Sequence, residues 1–182
     1  LPRAIVLRYG GYRFLRTPHE IHIPLYTEDL LAAHCNGTLD IRAKQPRPSV
    51  GFSGWAHIDA RTAAKARLKA VPSLVRALVD DRYRACQKGV FFRREAIRVL
   101  GASSRIDAHI AVRQSYSAHC KTASKSMEEL RAEFVGNLLG SDYGLDVRGD
   151  ANASARLFEI CSLGRIPVII DTERNFPFDD EL

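Results

Sequence analysis

No Cys-x-x-Cys pair, no His-x-x-x-His pair and no long apolar run occurs in this 182-residue sequence. Each absence removes a class of protein. Cys35, Cys86, Cys120 and Cys161 lie too far apart for the paired ligands of a structural zinc site. His19, His22, His34, His57, His109 and His119 carry no metal-ligand spacing, so they are expected to be structural or surface residues and no metal site is expected. The apolar runs stop short of the roughly 18–20 residues that cross a bilayer. No secretory leader is read at Leu1, but this excludes nothing, because both ends read as cuts. Repeats and low-complexity tracts are missing, and glycine and proline are not in excess. Neither G-x-G-x-x-G nor G-x-x-x-x-G-K-[ST] is present, which disfavours a dinucleotide oxidoreductase and a P-loop enzyme.

What is there is an ordinary globular composition, 46% hydrophobic and 26% charged. The length allows one good core, or one domain and part of another. The balance of 27 basic and 21 acidic side chains leaves +6. That charge favours anionic partners, or serves solubility alone. The basic residues are scattered, in nothing longer than pairs such as Arg93-Arg94, and do not interleave with aromatics, so nucleic acid is not expected as a partner. Four cysteines allow two disulfides in any of three pairings. Cys161 falls in an apolar helical pattern and is expected to be a buried free thiol. Leu1 opens the sequence within an apolar run and Leu182 follows closely on a strand, so both ends read as cuts.

Residues 4–8 read as a short buried strand, and residues 19–25 as a second apolar segment closed by Pro24. The polar, proline-rich stretch 42–48 is the best linker candidate. Ser49 to Gly54 reads as a strand entering a glycine turn. Residues 59–80 are helical in composition with an interruption near Pro72, and 92–101 form a short helix with Arg93 and Arg94 at its start. Ile106 to Val112 alternates as a strand does. Residues 126–140 form an amphipathic helix capped by Ser126, with Met127, Leu130, Phe134, Val135, Leu138 and Leu139 marking its apolar face. Tyr143 to Val147 is a strand, 153–163 a helix stopped by Gly164, and Ile166 to Ile170 an apolar run suited to a central parallel strand. Alternating strands and helices at this spacing predict an α/β fold, a Rossmann-like parallel sheet with flanking helices, over residues 49–182. Residues 1–41 read as the tail of a preceding domain.

In open α/β sheets ligands bind beyond the carboxyl ends of the strands. The richest such loop follows Val147. Gly149 permits a tight turn, and Ser154 stands at or near a helix start whose unpaired N–H groups suit a diphosphate. Arg156 adds a positive fork matched to phosphate oxygens, at a cost against the helix dipole that an anion would offset. Glu159, one turn on, can accept hydrogen bonds from ribose hydroxyls. Equally, Arg156 and Glu159 could form an ordinary surface ion pair, Asp150 could merely cap the helix, and Arg93-Arg94 could be a solvated face. Asn36-Gly37-Thr38 and Asn152-Ala153-Ser154 fit the glycosylation sequon, the second by chance.

The run Val147-Arg148-Gly149-Asp150-Ala151-Asn152-Ala153-Ser154-Ala155-Arg156-Leu157-Phe158-Glu159, then Leu163 to Thr172, then Pro177-Phe178-Asp179, resembles the exostosin family of glycosyltransferases. Looser matches are Glu20 to Pro24 with Thr27 to Leu30, Val50 to Gly54, and Glu133 to Tyr143. The resemblance implies two facing Rossmann-like domains (a GT-B arrangement), of which this chain holds the C-terminal, donor-binding half, ending before that half is complete. It implies inverting transfer from a nucleotide diphosphate sugar, a UDP-sugar first, to a glycan or other hydroxyl acceptor, with no obligatory cofactor or metal. Ser154 and Arg156 would hold the diphosphate, Glu159 the ribose, Arg148 would line the cleft, and Arg93 or Arg94 would add a phosphate contact. Asp150 is a candidate for the general base, as is a group outside this stretch. The alternative is a non-catalytic module of the same fold that binds nucleotide sugar or glycan. A membrane anchor outside this stretch and an oligomeric state are further expectations, with a Golgi lumenal setting for a eukaryotic member and a cytoplasmic one for a bacterial member.

Overall fold

Among the described residues six strands and five α-helices follow one another as β1 (Val6–Arg8), β2 (Glu20–His22), α1 (Leu30–Cys35), β3 (Ser49–Trp55), α2 (Ala60–Arg76), α3 (Gly89–Gly101), β4 (Asp107–Arg113), α4 (Met127–Leu139), β5 (Tyr143–Asp146), α5 (Arg156–Ser162) and β6 (Ile166–Ile169). Short 3-10 turns lie at Arg13–Leu15 and Asp81–Cys86. The computed structural model describes residues 4–39, 41–113 and 125–177. Cys120, Phe178 and Asp179, on which earlier expectations rested, lie outside them.

The main sheet is parallel throughout, in the order β4-β3-β5-β6. The chain leaves β3 for β4 on one side, then returns past β3 to β5 and β6. The direction of winding therefore reverses between β3 and β5. Helices cover both faces. On one, α3 supplies Ala96, with Phe92 and Leu100 beside it, against Val50, Phe52, Leu145 and Val147. On the other, α4 and α5 bring Phe134, Val135, Leu138 and Ile160 together. The protein is thus an α/β fold with a parallel sheet flanked by helices, as the alternation of elements predicts.

Local chemistry explains the helix starts. Asp29 and Asp59 accept from amides in the first turns of α1 and α2, and Ser126 closes a full capping box with Glu129 on α4. α2 runs straight through Pro72 rather than breaking there. Pro72 faces solvent, where water can satisfy the carbonyl that loses its helical donor. α3 begins at Gly89, earlier than expected, because Val90 packs against Ile58 and Ala63. Arg93 and Arg94 consequently sit in its second turn.

Other expectations are corrected. β1 is exposed at every position, because it pairs with β2 in a separate two-stranded parallel sheet. β6 is an edge strand among the described residues, with Ile166 57% exposed. An unbroken apolar run marks a parallel strand but not its rank in the sheet. Met127 is half exposed at the first turn of α4. Cys161 is free but exposed, on the outward side of α5. Strand β3 continues through Gly54, which therefore does not turn the chain. The proline-rich stretch 42–48 has no regular structure, yet Leu30 of α1 shares a core with Phe134 and Leu163, so packing continues across it. No described helix is long and apolar enough to cross a membrane.

Two close approaches hold the layers. A Cβ on Gly144 would lie 2.6–3.0 Å from three carbons of Ile160, so glycine lets α5 press onto the sheet. Gly144→Ala is expected to destabilise the fold by about 1–3 kcal/mol, measured by denaturant unfolding. An unchanged midpoint would show that α5 can move aside. The starts of β3 and β5 are locked by Asp142, whose carboxylate accepts from the Ser49 hydroxyl (2.7 Å) and the Arg42 Nε (2.9 Å). The Ser49 hydroxyl, then Arg42, holds the Asp142 pKa below the ordinary aspartate value. The stability contributed is present above the unfolded value of about 4 and is lost as pH falls through the lower folded value. Asp142→Asn is therefore expected to flatten the acid side of the stability curve below about pH 4, seen in pH-dependent thermal unfolding. A curve of unchanged shape would refute that role.

Candidate functional site at the strand reversal

A cleft of about 820 Å³ opens at the carboxyl ends of β3 and β5, where the winding reverses. This is where an open parallel sheet leaves room between diverging loops. Its floor is the end of β3, from Ser53 to Trp55. Arg113 ends β4 beside it, α4 contributes Leu130, Arg131 and Phe134, and the loop from Gly149 to Ala155 closes the other side.

The loop is built on buried charge. Asp146, fully buried at the end of β5, pairs with Arg174 at 2.6 Å and accepts from the Ser154 hydroxyl at 2.5 Å. Asn152 adopts a left-handed backbone, φ 51°, and its amide donates to the carbonyls of Gly11, Thr172 and Glu173 while accepting from the Thr172 hydroxyl. The tight turn thus belongs to Asn152, and Gly149 contributes the amide that closes it on the Ala153 carbonyl at 2.9 Å. Gly10 presses on the loop so closely that a Cβ there would lie 2.7 Å from the Ala151 carbonyl. Asn152 is 1% exposed and committed to four partners, so its sequon is closed to a glycan in the folded chain, whereas Asn36 is exposed.

Arg156 dominates the electrostatics. Its guanidinium lies 4.6 Å from the ring of Phe52 and 5.6 Å from that of Phe134, and donates to the Ser53 carbonyl at 2.9 Å. No carboxylate pairs with it among the described residues, and its Nε is buried without a partner. Burial first, and the nearby positive charge of Arg93 second, pull its pKa down to about 10. It stays charged at neutral pH, at a cost in desolvation. Gly54 makes the space, since a Cβ there would lie 2.7 Å from the Arg156 Nη2.

The ion pair between Arg156 and Glu159 that the spacing offers as the alternative does not form. Glu159 accepts instead from Arg131 of α4 at 2.8 Å, and Arg131 also reaches Glu28 at 2.7 Å. Burial works against the charge of Arg131, but the two carboxylates outweigh it and raise its pKa. Arg93 donates to the carbonyls of Trp55 and Arg148, tying β3 to the loop while it lines the cleft. Four arginines, Arg93, Arg113, Arg131 and Arg156, thus face two carboxylates, Asp150 and Glu159, among the described residues of the lining.

The sequence-predicted residues divide. Ser154, Arg156, Glu159, Arg93 and Asp150 all border the cleft. Arg94 is exposed and outside it. Arg148 does not line it either. That side chain is 1% exposed, donates to the carbonyls of Ala85, Gln87, Gly149 and Asp150, and lies over the rings of Tyr12 and Phe92. Its fork matches carbonyls of its own fold, and burial lowers its pKa. Ser154 precedes α5 rather than starting it. The cap position belongs to Ala155, which offers no side-chain acceptor, so Asp150 does not cap the helix. Asp150 is largely exposed and sits 3.4 Å from the Lys88 Nζ. Sequence reasoning missed Asp146, Arg113, Arg131 and Arg174. A charge ending an apolar strand is a readable signal for the first two, while nothing in the pattern singles out the others.

Among the described residues no cluster of three or more His, Cys, Asp or Glu side chains could hold a metal ion. The site defined by the fold is a basic crevice at the winding reversal of a parallel α/β sheet. No family model, curated protein or solved structure matches the chain.

Proposed function

We propose that the cleft binds the diphosphate of a nucleotide sugar, a uridine one first, and that the chain is the donor-binding part of an inverting glycosyltransferase. One observation carries this reading: Arg156, charged and desolvated, has no carboxylate partner at the reversal point of the sheet. A half-buried arginine with no carboxylate in ion-pair contact carries a desolvation cost, which an incoming phosphate would offset through charge-assisted bonds. Arg93 and Arg113 flank it and widen the positive field. The start of α5 has no side-chain cap, and Ala155 and Arg156 border the same space. Glu159, oriented by Arg131, suits ribose hydroxyls. The resemblance to exostosin glycosyltransferases supplies the sugar donor, and a hydroxyl acceptor would meet it from the open side.

A second reading rests on the carboxylates. Both of those lining the cleft among the described residues, Asp150 and Glu159, already pair with a cation. A general base must be able to take the acceptor proton. Asp150, exposed and only loosely paired, is the better candidate. If it is not the base, the chain is a binding module, or the base comes from elsewhere. Calorimetric titration with uridine diphosphate at two salt concentrations tests the main reading. Binding is expected, weakened about 10- to 100-fold by Glu159→Ala, since hydrogen bonds to a charged group contribute about 1.5–3 kcal/mol. Absence of binding by the folded chain would refute the uridine donor. Affinity that collapses with salt yet ignores Glu159 would point to non-specific anion binding.

A further inference from the structure

A second surface lies on α2, away from the cleft floor. Between Ala60 and Arg76 this helix carries five basic side chains and no acidic one. Its inward side is small, with Ala63 and Ala70 buried. Its outward side is not polar, as a solvent-facing helix normally is. Leu68, Val71 and Val75 recur at spacings of three and four, and Leu78 and Val79 extend the row into the following turn. They are 73%, 46%, 59%, 85% and 95% exposed. Beside this row Arg61, Lys65 and Lys69 recur every four residues and form a second row of cations, all exposed. None of the three is paired with a carboxylate among the described residues. Arg67 and Arg76 lie over Phe91 and Tyr83, so their stems are folded back on the protein.

We infer that this face of α2 docks on an anionic lipid surface, with the aliphatic row entering the headgroup boundary and the row of cations meeting lipid phosphates and carboxylates. Charge decides among occupants. A second copy docking by two-fold symmetry would set the same cations against each other. A protein partner is favoured less by the composition, because binding hot spots concentrate in Trp, Tyr and Arg rather than Leu and Val. Aliphatic side chains beside a lysine and arginine row are what an interfacial helix needs, and 17 residues give about 25 Å of contact. The surface is independent of the nucleotide reading.

The test is co-sedimentation of the chain with vesicles of phosphatidylcholine alone and of phosphatidylcholine with phosphatidylserine. Binding is expected to prefer the serine-containing vesicles at least about tenfold and to weaken at high salt. Leu68→Ser with Leu78→Ser, and separately Lys65→Glu with Lys69→Glu, are each expected to lower that binding by about tenfold or more. Both pairs are exposed, so circular dichroism and unfolding temperature should stay unchanged. Equal binding to both vesicles, binding indifferent to both variants, or no binding by the folded chain would overturn the inference. So would self-association in sedimentation velocity that the leucine variant abolishes while vesicle binding is absent.

Discussion

Arg156→Met is expected to leave the empty chain at least as stable as the original while weakening uridine diphosphate binding about 10- to 100-fold. Methionine keeps much of the apolar contact with Phe52 and Phe134. It removes a partly desolvated charge whose hydrogen-bond partner is the Ser53 carbonyl, and it relieves the repulsion from Arg93. Replacing a buried ionic group by an apolar one of similar size is often neutral or stabilising. The loss of ligand affinity and the absence of a stability loss together distinguish a binding residue from a structural one. Thermal unfolding without ligand and calorimetry with it are the two measurements. A fall in stability with unchanged affinity would show that Arg156 serves only the fold.

The opposite pattern is expected at the pair beneath the loop. Asp146→Ala leaves Arg174 buried without its partner and should cost about 3–5 kcal/mol of stability. Arg174 is 4% exposed, and Asp146 also holds the Ser154 hydroxyl, so the loop at Ser154 and the segment at Arg174 lose their common anchor. Asp146→Leu combined with Arg174→Met removes both charges and is expected to recover most of that loss. A double-mutant cycle by denaturant unfolding reads the coupling. Single and double variants that lose stability additively would show that the pair is not coupled.

The contrast between Arg156 and Arg148 shows how far residue type alone reaches. Both lie in one run of sequence, and both carry the same planar fork. Arg148 spends it on the carbonyls of Ala85, Gln87, Gly149 and Asp150, whereas Arg156 keeps one side toward the cleft. Five N–H donors on a guanidinium fit a carbonyl cage as well as a phosphate, so nothing local separates the two. Glu159 tells the same story. Spacing offered Arg156 as its partner on the same helix, but α4 brought Arg131 within 2.8 Å from 28 residues away.

The sequence by itself determined the local elements: the capped amphipathic helix of Ser126 to Leu139, the strands of β3, β4 and β5, and the parallel α/β class, because period, caps and short apolar runs are properties of neighbouring residues. Tertiary structure alone decided what depends on distant segments meeting. Among the described residues it placed β6 at an edge, joined α1 to the core of α4 and α5, turned Arg148 inward, and buried Asp146 against Arg174. The physical reason is that desolvation and charge pairing are set by what the fold packs around a side chain, and that packing comes from residues far away in sequence.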